Sequence, residues 1–315
     1  MTRWLGVRLL NAIPVLVIVP LLVFVLMDLA PGDVATSIAG ENATAEEVEA
    51  VRDRLGLDDP LLVRFGRWAA DAVQGDLGES LVTGEPVTRA IGRSLPVTLS
   101  LAAFSVVLTV VIGVLAGVLS ARRPNGVLDR AIAVVAALAV AIPSFWLGLI
   151  LVLVVAINWQ WLPALGYVSF ADDPWEWFRS LILPSIALSA LPAAEMARQT
   201  RGALVDELGK DYVLAARARG LSQRALLFKH SLKNAGVPLV TILGFRLAQL
   251  LGGAAIIEAV FALHGVGQLT IEAAASQDVP TLLGVVALTT VTIVAINLLV
   301  DLSYGYFNPR VRKSA

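Results

Sequence analysis

Six stretches of this chain are apolar for about twenty residues or more, the length a helix needs to cross the hydrocarbon core of a bilayer. They run from about Arg8 to Leu29, Leu95 to Ser120, Leu128 to Ala156, Leu181 to Thr200, Ala235 to Ile257 and Thr281 to Tyr304. Each is continuously apolar rather than alternating, which disfavours a β-barrel. Composition agrees: 57% of the 315 residues are hydrophobic, 16% are charged, and mean hydropathy is +0.78. A soluble domain carries about a quarter charged residues. The expected fold class is therefore all-α, a polytopic membrane protein with six transmembrane helices. The first stretch follows Arg3 and Arg8, as a signal peptide would. Its apolar run is too long for that role, so it is expected to remain as a membrane helix.

Several chemistries are excluded early. The chain has no cysteine and only two histidines, His230 and His264. Thiolate zinc sites and disulfide scaffolds are ruled out, and two histidines leave almost no room for a histidine metal cluster. Neither histidine is placed to activate a serine within the membrane. A net charge of −1 offers no global field for nucleic acid. No GxxxxGK[ST] or HExxH motif occurs. No catalytic residue, metal or bound cofactor is expected in this chain.

Orientation follows from lysine and arginine. Sixteen of the 24 basic residues fall on one side, in the N-terminus, the loop after span two, the loop between spans four and five, and the tail. Both termini are therefore expected in the cytoplasm. Trp159, Trp161, Trp175 and Trp177 cluster on the outer side, and Tyr304, Tyr306 and Phe307 end the last span on the inner side. The Pro174–Phe178 segment reads either as a short interfacial helix or as an anchoring loop.

By this reading the chain divides into residues 1–29 (N-terminus and first span), 30–94 (an outer loop), 95–305 (spans two to six) and 306–315 (a cytoplasmic tail). In the outer loop, Thr44 can cap a helix to Leu55 with Glu47 three residues on, and a second helix is expected from Pro60 to Gln74. Gly75–Ser80 breaks it. So small a piece has little core of its own, and is expected to pack on the membrane portion or on a partner.

The inner loop, 201–234, carries the most information. Asp211 to Arg219 reads as a helix, Gly220 as its left-handed stop, and Ser222 as the cap of a second helix leading into span five. A solvated basic loop is the bland reading. Ala215, Ala216 and Ala218 instead make a small-residue surface suited to docking another protein.

Within spans four and five, Glu195, Gln199, Arg246, Gln249 and Glu258 are candidate pathway residues, since charge inside a span needs a reason. An interhelical ion pair, for example Arg246 with Glu195, is the structural alternative. Glu258 reads as a gate-region or outer-surface group. Prolines 14, 20, 143, 184, 192 and 238 permit bends, and Gly113 with Gly117 forms a GxxxG pair.

The chain also resembles a known family. Leu29-Ala30-Pro31-Gly32-Asp33, Leu55-Gly56-Leu57-Asp58-Asp59-Pro60, Gly75-Asp76-Leu77-Gly78-Glu79-Ser80 and Leu95-Pro96-Val97-Thr98-Leu99 come in order. They are followed by Ile142-Pro143-Ser144-Phe145-Trp146, Asp211-Tyr212-Val213 through Gly220-Leu221-Ser222, and Asn308-Pro309-Arg310. In this order they resemble the permease subunits of ATP-binding-cassette importers, in the dipeptide/oligopeptide/nickel branch. The resemblance spans essentially the whole chain. It implies the type I importer permease fold in a bacterial inner membrane, with half of a translocation pathway for peptides, a nickel chelate or a glutathione-like solute. It also implies four kinds of partner: the lipid bilayer, a second permease, two ATPase subunits that use ATP and Mg, and an extracytoplasmic substrate-binding protein. That protein would be periplasmic or a lipoprotein. The inner loop would be the EAA-like coupling element: Asp211, Tyr212, Ala215, Ala216, Arg217, Ala218, Gly220, Leu221 and Ser222. The motif's glutamate position is Leu214 here, and His264 precedes Gly265 where the branch often has proline. An ion-coupled secondary transporter using Glu195 and Arg246 is the alternative from another class.

Overall fold

Backbone polar groups inside a bilayer must be satisfied within the segment, and this chain meets that demand with helices. The structure is a computed structural model that describes residues 2–29, 34–39, 43–222, 226, 244, 249–250 and 252–307. In order these are α1 (Thr2–Asp28), α2 (Val34–Ala39), α3 (Ala45–Leu55), α4 (Leu61–Val73), α5 (Val87–Ala121), α6 (Val127–Ala141) and α7 (Ser144–Leu151). A π-helical turn (Val152–Asn158), α8 (Pro174–Leu208), α9 (Asp211–Ala218), α10 (Val266–Ala275) and α11 (Val279–Phe307) follow. Residues 252–260 are also helical.

Four helices, α1, α5, α8 and α11, are long and apolar enough to cross a membrane. They answer to the first, second, fourth and sixth expected spans. The fifth lies largely outside the described residues. The third, in which Pro143 permits a bend, is broken: α6 and the helical segment Ser144–Asn158 are bent by 103°. Pro143 is the cause. It has no N–H to donate and disfavours helical backbone in the residue before it, and Ile142 accordingly sits at φ −87°, ψ 122°. With that bent pair counted as one span, the described residues hold up to five.

The chain forms two compact units. In the unit built from Thr2–Pro96 and His264–Val294, Phe65 of α4 meets Phe24 of α1 edge to face at 6.0 Å and packs with Leu283 of α11. Arg64 pairs with Asp28 at 2.8 Å. The outer-loop helices thus borrow their core from apolar helices, as a piece without its own core must. The cap is as expected: Thr44 Oγ1 accepts from Glu47 N at 3.3 Å, Thr44 N donates to Glu47 Oε2 at 2.7 Å, and Gly56 ends α3 at φ +61°. The glycine-rich break at 75–80 is held by Asp278, which accepts from Ser80 Oγ (2.6 Å), Leu81 N (3.1 Å) and Thr281 Oγ1 (2.7 Å).

In the unit that includes Val97–Leu263, α8 is central. Buried residues make up 72% of its most apolar window, against 17–33% for the other three long helices. A helix surrounded by protein can carry serine and threonine on faces that lipid would reject, and Ser180, Ser185, Ser189 and Thr200 are all buried on α8. The Pro174–Phe178 segment is the first turn of this helix, with Asp173 accepting from Trp175 N and Glu176 N and Pro174 at its start. Hydropathy marked only Leu181 to Thr200, because the amphipathic ends of a long helix do not read as lipid-soluble. The GxxxG pair meets α8 closely: a β-carbon on Gly113 would stand 2.6 Å from Met196 Cβ and 3.0 Å from the Ala193 carbonyl oxygen.

Candidate functional site

The inner-loop residues form a corner. α8 ends at Leu208, Gly209 and Lys210 turn the chain, and α9 begins at Asp211. Val213 is completely buried and fixes one side of α9. Asp211, Tyr212, Ala215 and Ala218 are exposed, and Ala216 is half-buried. Small side chains on the outer face leave the backbone open to close approach. Leu221 N donates to the Ala216 carbonyl at 3.2 Å and Gly220 lies at φ +84°, the closing bond and left-handed residue of a Schellman stop. Nothing lies within 4 Å of a β-carbon built on Gly220, so backbone conformation alone calls for glycine there. Leu226 N donates to the carbonyl of exposed Ser222 at 3.0 Å; the second helix expected from Ser222 otherwise lies outside the described residues. Arg217 lies in α9 and Leu221 is half-buried.

Glu207 fastens this corner. The buried carboxylate accepts from Tyr212 Oη at 2.6 Å and pairs with Lys210 Nζ. That contact raises the Lys210 pKa above its ordinary value. The sequence places a leucine, Leu214, where the motif has an acid; the acid of this corner is Glu207, the penultimate residue of α8.

A second cluster lies further up the same helix. Asp129, in the first turn of α6, is buried and receives Arg201 Nε at 2.6 Å and Nη2 at 2.7 Å. Ser120 Oγ and Asn125 N (2.7 Å) also donate to it. Asp129 was not singled out by sequence reasoning, and the available signal was an acid at the very start of an apolar run, after the Arg122-Arg123-Pro124-Asn125 turn. Ser120, Asp278 and Glu207 were missed in the same way.

The candidate pathway residues separate. Glu195 is half-buried and Gln199, four residues on, is exposed, as are Leu191 and Arg198 on the same stretch of α8. Gln249 is exposed. Of the two expectations for Glu258, gate region or outer surface, burial excludes the second: it is completely buried, and its carboxylate accepts from Thr98 Oγ1 at 2.6 Å. The hydroxyl supplies a hydrogen bond that a buried carboxyl group needs. Arg246 lies outside the described residues. Elsewhere, carboxylate oxygens of Glu49, Asp53 and Asp58 lie within 4.8 Å of one another, all exposed. Arg52 already pairs there with Glu49 (3.6 Å) and Asp58 (3.9 Å).

Comparison with known proteins adds independent findings. Residues 113–313 match the family described as "Binding-protein-dependent transport system inner membrane component", and residues 1–102 match its N-terminal companion. A protein of Sinorhizobium fredii, named as a peptide ABC transporter permease, is 42% identical over 305 residues, 97% of each chain. A Brucella abortus protein, named as a peptide transport system permease, is 40% identical over 312 residues, 99% of each chain. The glutathione transport system permease protein GsiC of Escherichia coli K12 is 40% identical over 305 residues, 97% of each chain. Among solved structures, an inward-facing form of the MetNI methionine ABC transporter matches with a TM-score of 0.56 at 21% identity, covering 69% of this chain and 96% of that one. A second crystal form gives 0.57 at 20% identity, covering 70% and 96%. At that identity the likeness is one of fold.

Proposed function

The chain belongs to the family of binding-protein-dependent transport system inner membrane components, and from that premise we propose that it imports small peptides as one permease subunit of an ATP-driven transporter. The observation that carries this reading is the α9 corner. A short helix exposes alanines, ends on a conformationally required glycine, and is joined to the most buried long helix by two residues and the Glu207 contacts. Such an element takes a push from outside the chain and passes it to the membrane helices.

The push comes from two ATPase subunits, which hold the ATP and Mg. This chain supplies no catalytic group. A second, similar permease completes the pathway, and an external binding protein delivers the solute, with both termini on the cytoplasmic side. The second subunit is supported by α8 itself. Arg198 and Gln199 are exposed on α8 beside half-buried Glu195, and charge facing lipid is expensive. Opposed to another subunit or to a water-filled route, these residues are tolerated. Glu195, Gln199 and Gln249 are accordingly proposed to face the pathway. Arg246 is proposed with them, and Glu258 as a group that supports the outer end from within the chain.

Peptides are the solute class of the Sinorhizobium and Brucella relatives. Glutathione, itself a small peptide, is favoured as a second reading by the Escherichia coli relative, at 40% identity against 42% and 40% for the Sinorhizobium and Brucella proteins. The test is to solubilise the tagged chain, identify what remains bound, and reconstitute the set in liposomes. Import of a dipeptide that needs both ATP and the binding protein is expected. Uptake by this chain alone, driven by an ion gradient, overturns the reading.

A further inference from the structure

We propose that the Asp129–Arg201 pair is the junction through which displacement of the α9 corner reaches the α5–α6 hairpin, so that both are positioning residues of the import cycle. The inference rests on the permease reading above and adds to it the residues that carry the motion.

Asp129 is a meeting point. Its carboxylate gathers donors from the end of α5 (Ser120 Oγ), the turn between helices (Asn125 N) and α8 (Arg201 Nε and Nη2). The turn itself is tight, with Asn125 in the left-handed region at φ 63°. From Arg201, α8 runs unbroken to Leu208, and Glu207 at its end holds Tyr212 of α9 at 2.6 Å. A continuous chain of helix and charge-assisted hydrogen bonds therefore links Tyr212, Glu207, Arg201, Asp129 and Ser120.

Geometry makes this link stiff. Arg201 approaches in the two-pronged form, with bonds of 2.6 and 2.7 Å to the two carboxylate oxygens. Two parallel bonds set an angle as well as a distance. Beside the pair, Gly117 meets Thr200 in a contact too close for any added β-carbon, and Val118, Ala121 and Leu204 form a buried cluster. α8 therefore cannot tilt without carrying the α5–α6 hairpin with it. A buried carboxylate with its donors already in place also resists rearrangement, because any movement that breaks one bond strands a desolvated group.

Lysine at position 201 keeps the charge but holds the carboxylate as a point, without the fork. That distinction tests the proposal. The complete transporter, this chain with its permease, ATPase and binding-protein partners, is reconstituted, and dipeptide uptake and ATP hydrolysis are measured on the same vesicles. Arg201→Lys is expected to assemble normally, to hydrolyse ATP within about twofold of wild type, and to import about fivefold less solute per ATP. The double variant Asp129→Asn with Arg201→Gln leaves no charge stranded and is expected to uncouple in the same way. Ser120→Ala, which keeps the ion pair, is the mildest case and is expected to lower the ratio less. A wild-type ratio of import to hydrolysis in the assembled variants overturns the proposal. So does a parallel loss of both activities, which marks the pair as structural only. Should neither charge variant assemble, a wild-type ratio in Ser120→Ala overturns it. A wild-type chain that recruits no ATPase subunit overturns the permease reading itself, and is seen before any variant is made.

Discussion

Gly117 of α5 and Thr200 of α8 touch where no larger residue fits: a β-carbon on Gly117 would stand 2.4 Å from Thr200 Cβ and 2.7 Å from the Ala197 carbonyl oxygen. Lipid supplies no hydrophobic force to hold two apolar helices together, so close packing has to do so. The Gly113 contact one turn earlier repeats the arrangement.

Gly117→Ala is therefore expected to destabilise the chain by about 1–3 kcal/mol, the usual range for overpacking a filled interior. Gly202→Ala on α8 serves as its control. Nothing lies within 4 Å of a β-carbon at Gly202, and alanine favours helix there. Thermal unfolding in detergent checks both. A lower Tm for Gly117→Ala beside an unchanged or raised Tm for Gly202→Ala is the expected result, and equal Tm values would contradict the close contact.

Gly220 makes the opposite case, open space with a demanding backbone. A β-carbon there meets nothing, yet φ is +84°. Valine, β-branched and poorly suited to this region, should distort the corner at a local penalty of about 1–2 kcal/mol or more. Asparagine tolerates the left-handed region and should be milder. Membrane insertion is expected to survive in both. Stimulation of ATP hydrolysis by the loaded binding protein should fall in Gly220→Val and largely persist in Gly220→Asn. Equal loss in the two would point to a contact made by glycine rather than to backbone conformation.

Acid should loosen the outer-loop helix α3 before the membrane helices. Glu47 accepts from the Thr44 backbone and hydroxyl, which hold its carboxyl below the ordinary value of 4.5. A depressed folded value means the contribution is fully present above 4.5 and is lost as pH falls through the folded value. Amide exchange across residues 45–55, corrected for its intrinsic pH dependence, should speed up in that window. Glu47→Gln should remove most of the pH response. An unchanged response in Glu47→Gln would assign the effect to another group.

Much of the fold is local, and local features are legible in a sequence. The apolar runs specify α1, α5, α8 and α11 because transfer into lipid depends on composition over one helix length. The Thr44–Glu47 cap and the glycine stop at Gly220 follow from backbone chemistry within a few residues. Pro143, which permits a bend in the third apolar stretch, is just as local a signal, and its effect on Ile142 breaks that stretch into two helices. The ends of α5 and α8 were hidden by their polar residues, which helices accept and hydropathy discounts.

The pairing of distant charges is another matter. Asp129 and Arg201 are 72 residues apart and Ser80 and Asp278 are 198 apart. Nothing in the residues around either acid says which donor will reach it. By itself the sequence determined that this is a helical membrane chain with an exposed small-residue corner, because hydropathy, caps and glycine conformation act over one turn to one helix. Only tertiary structure decided that Glu258 points inward to Thr98, that Glu207 secures the corner, and that Asp129 joins three helices. Those choices rest on which faces of the helices meet, and close packing across separate segments sets that.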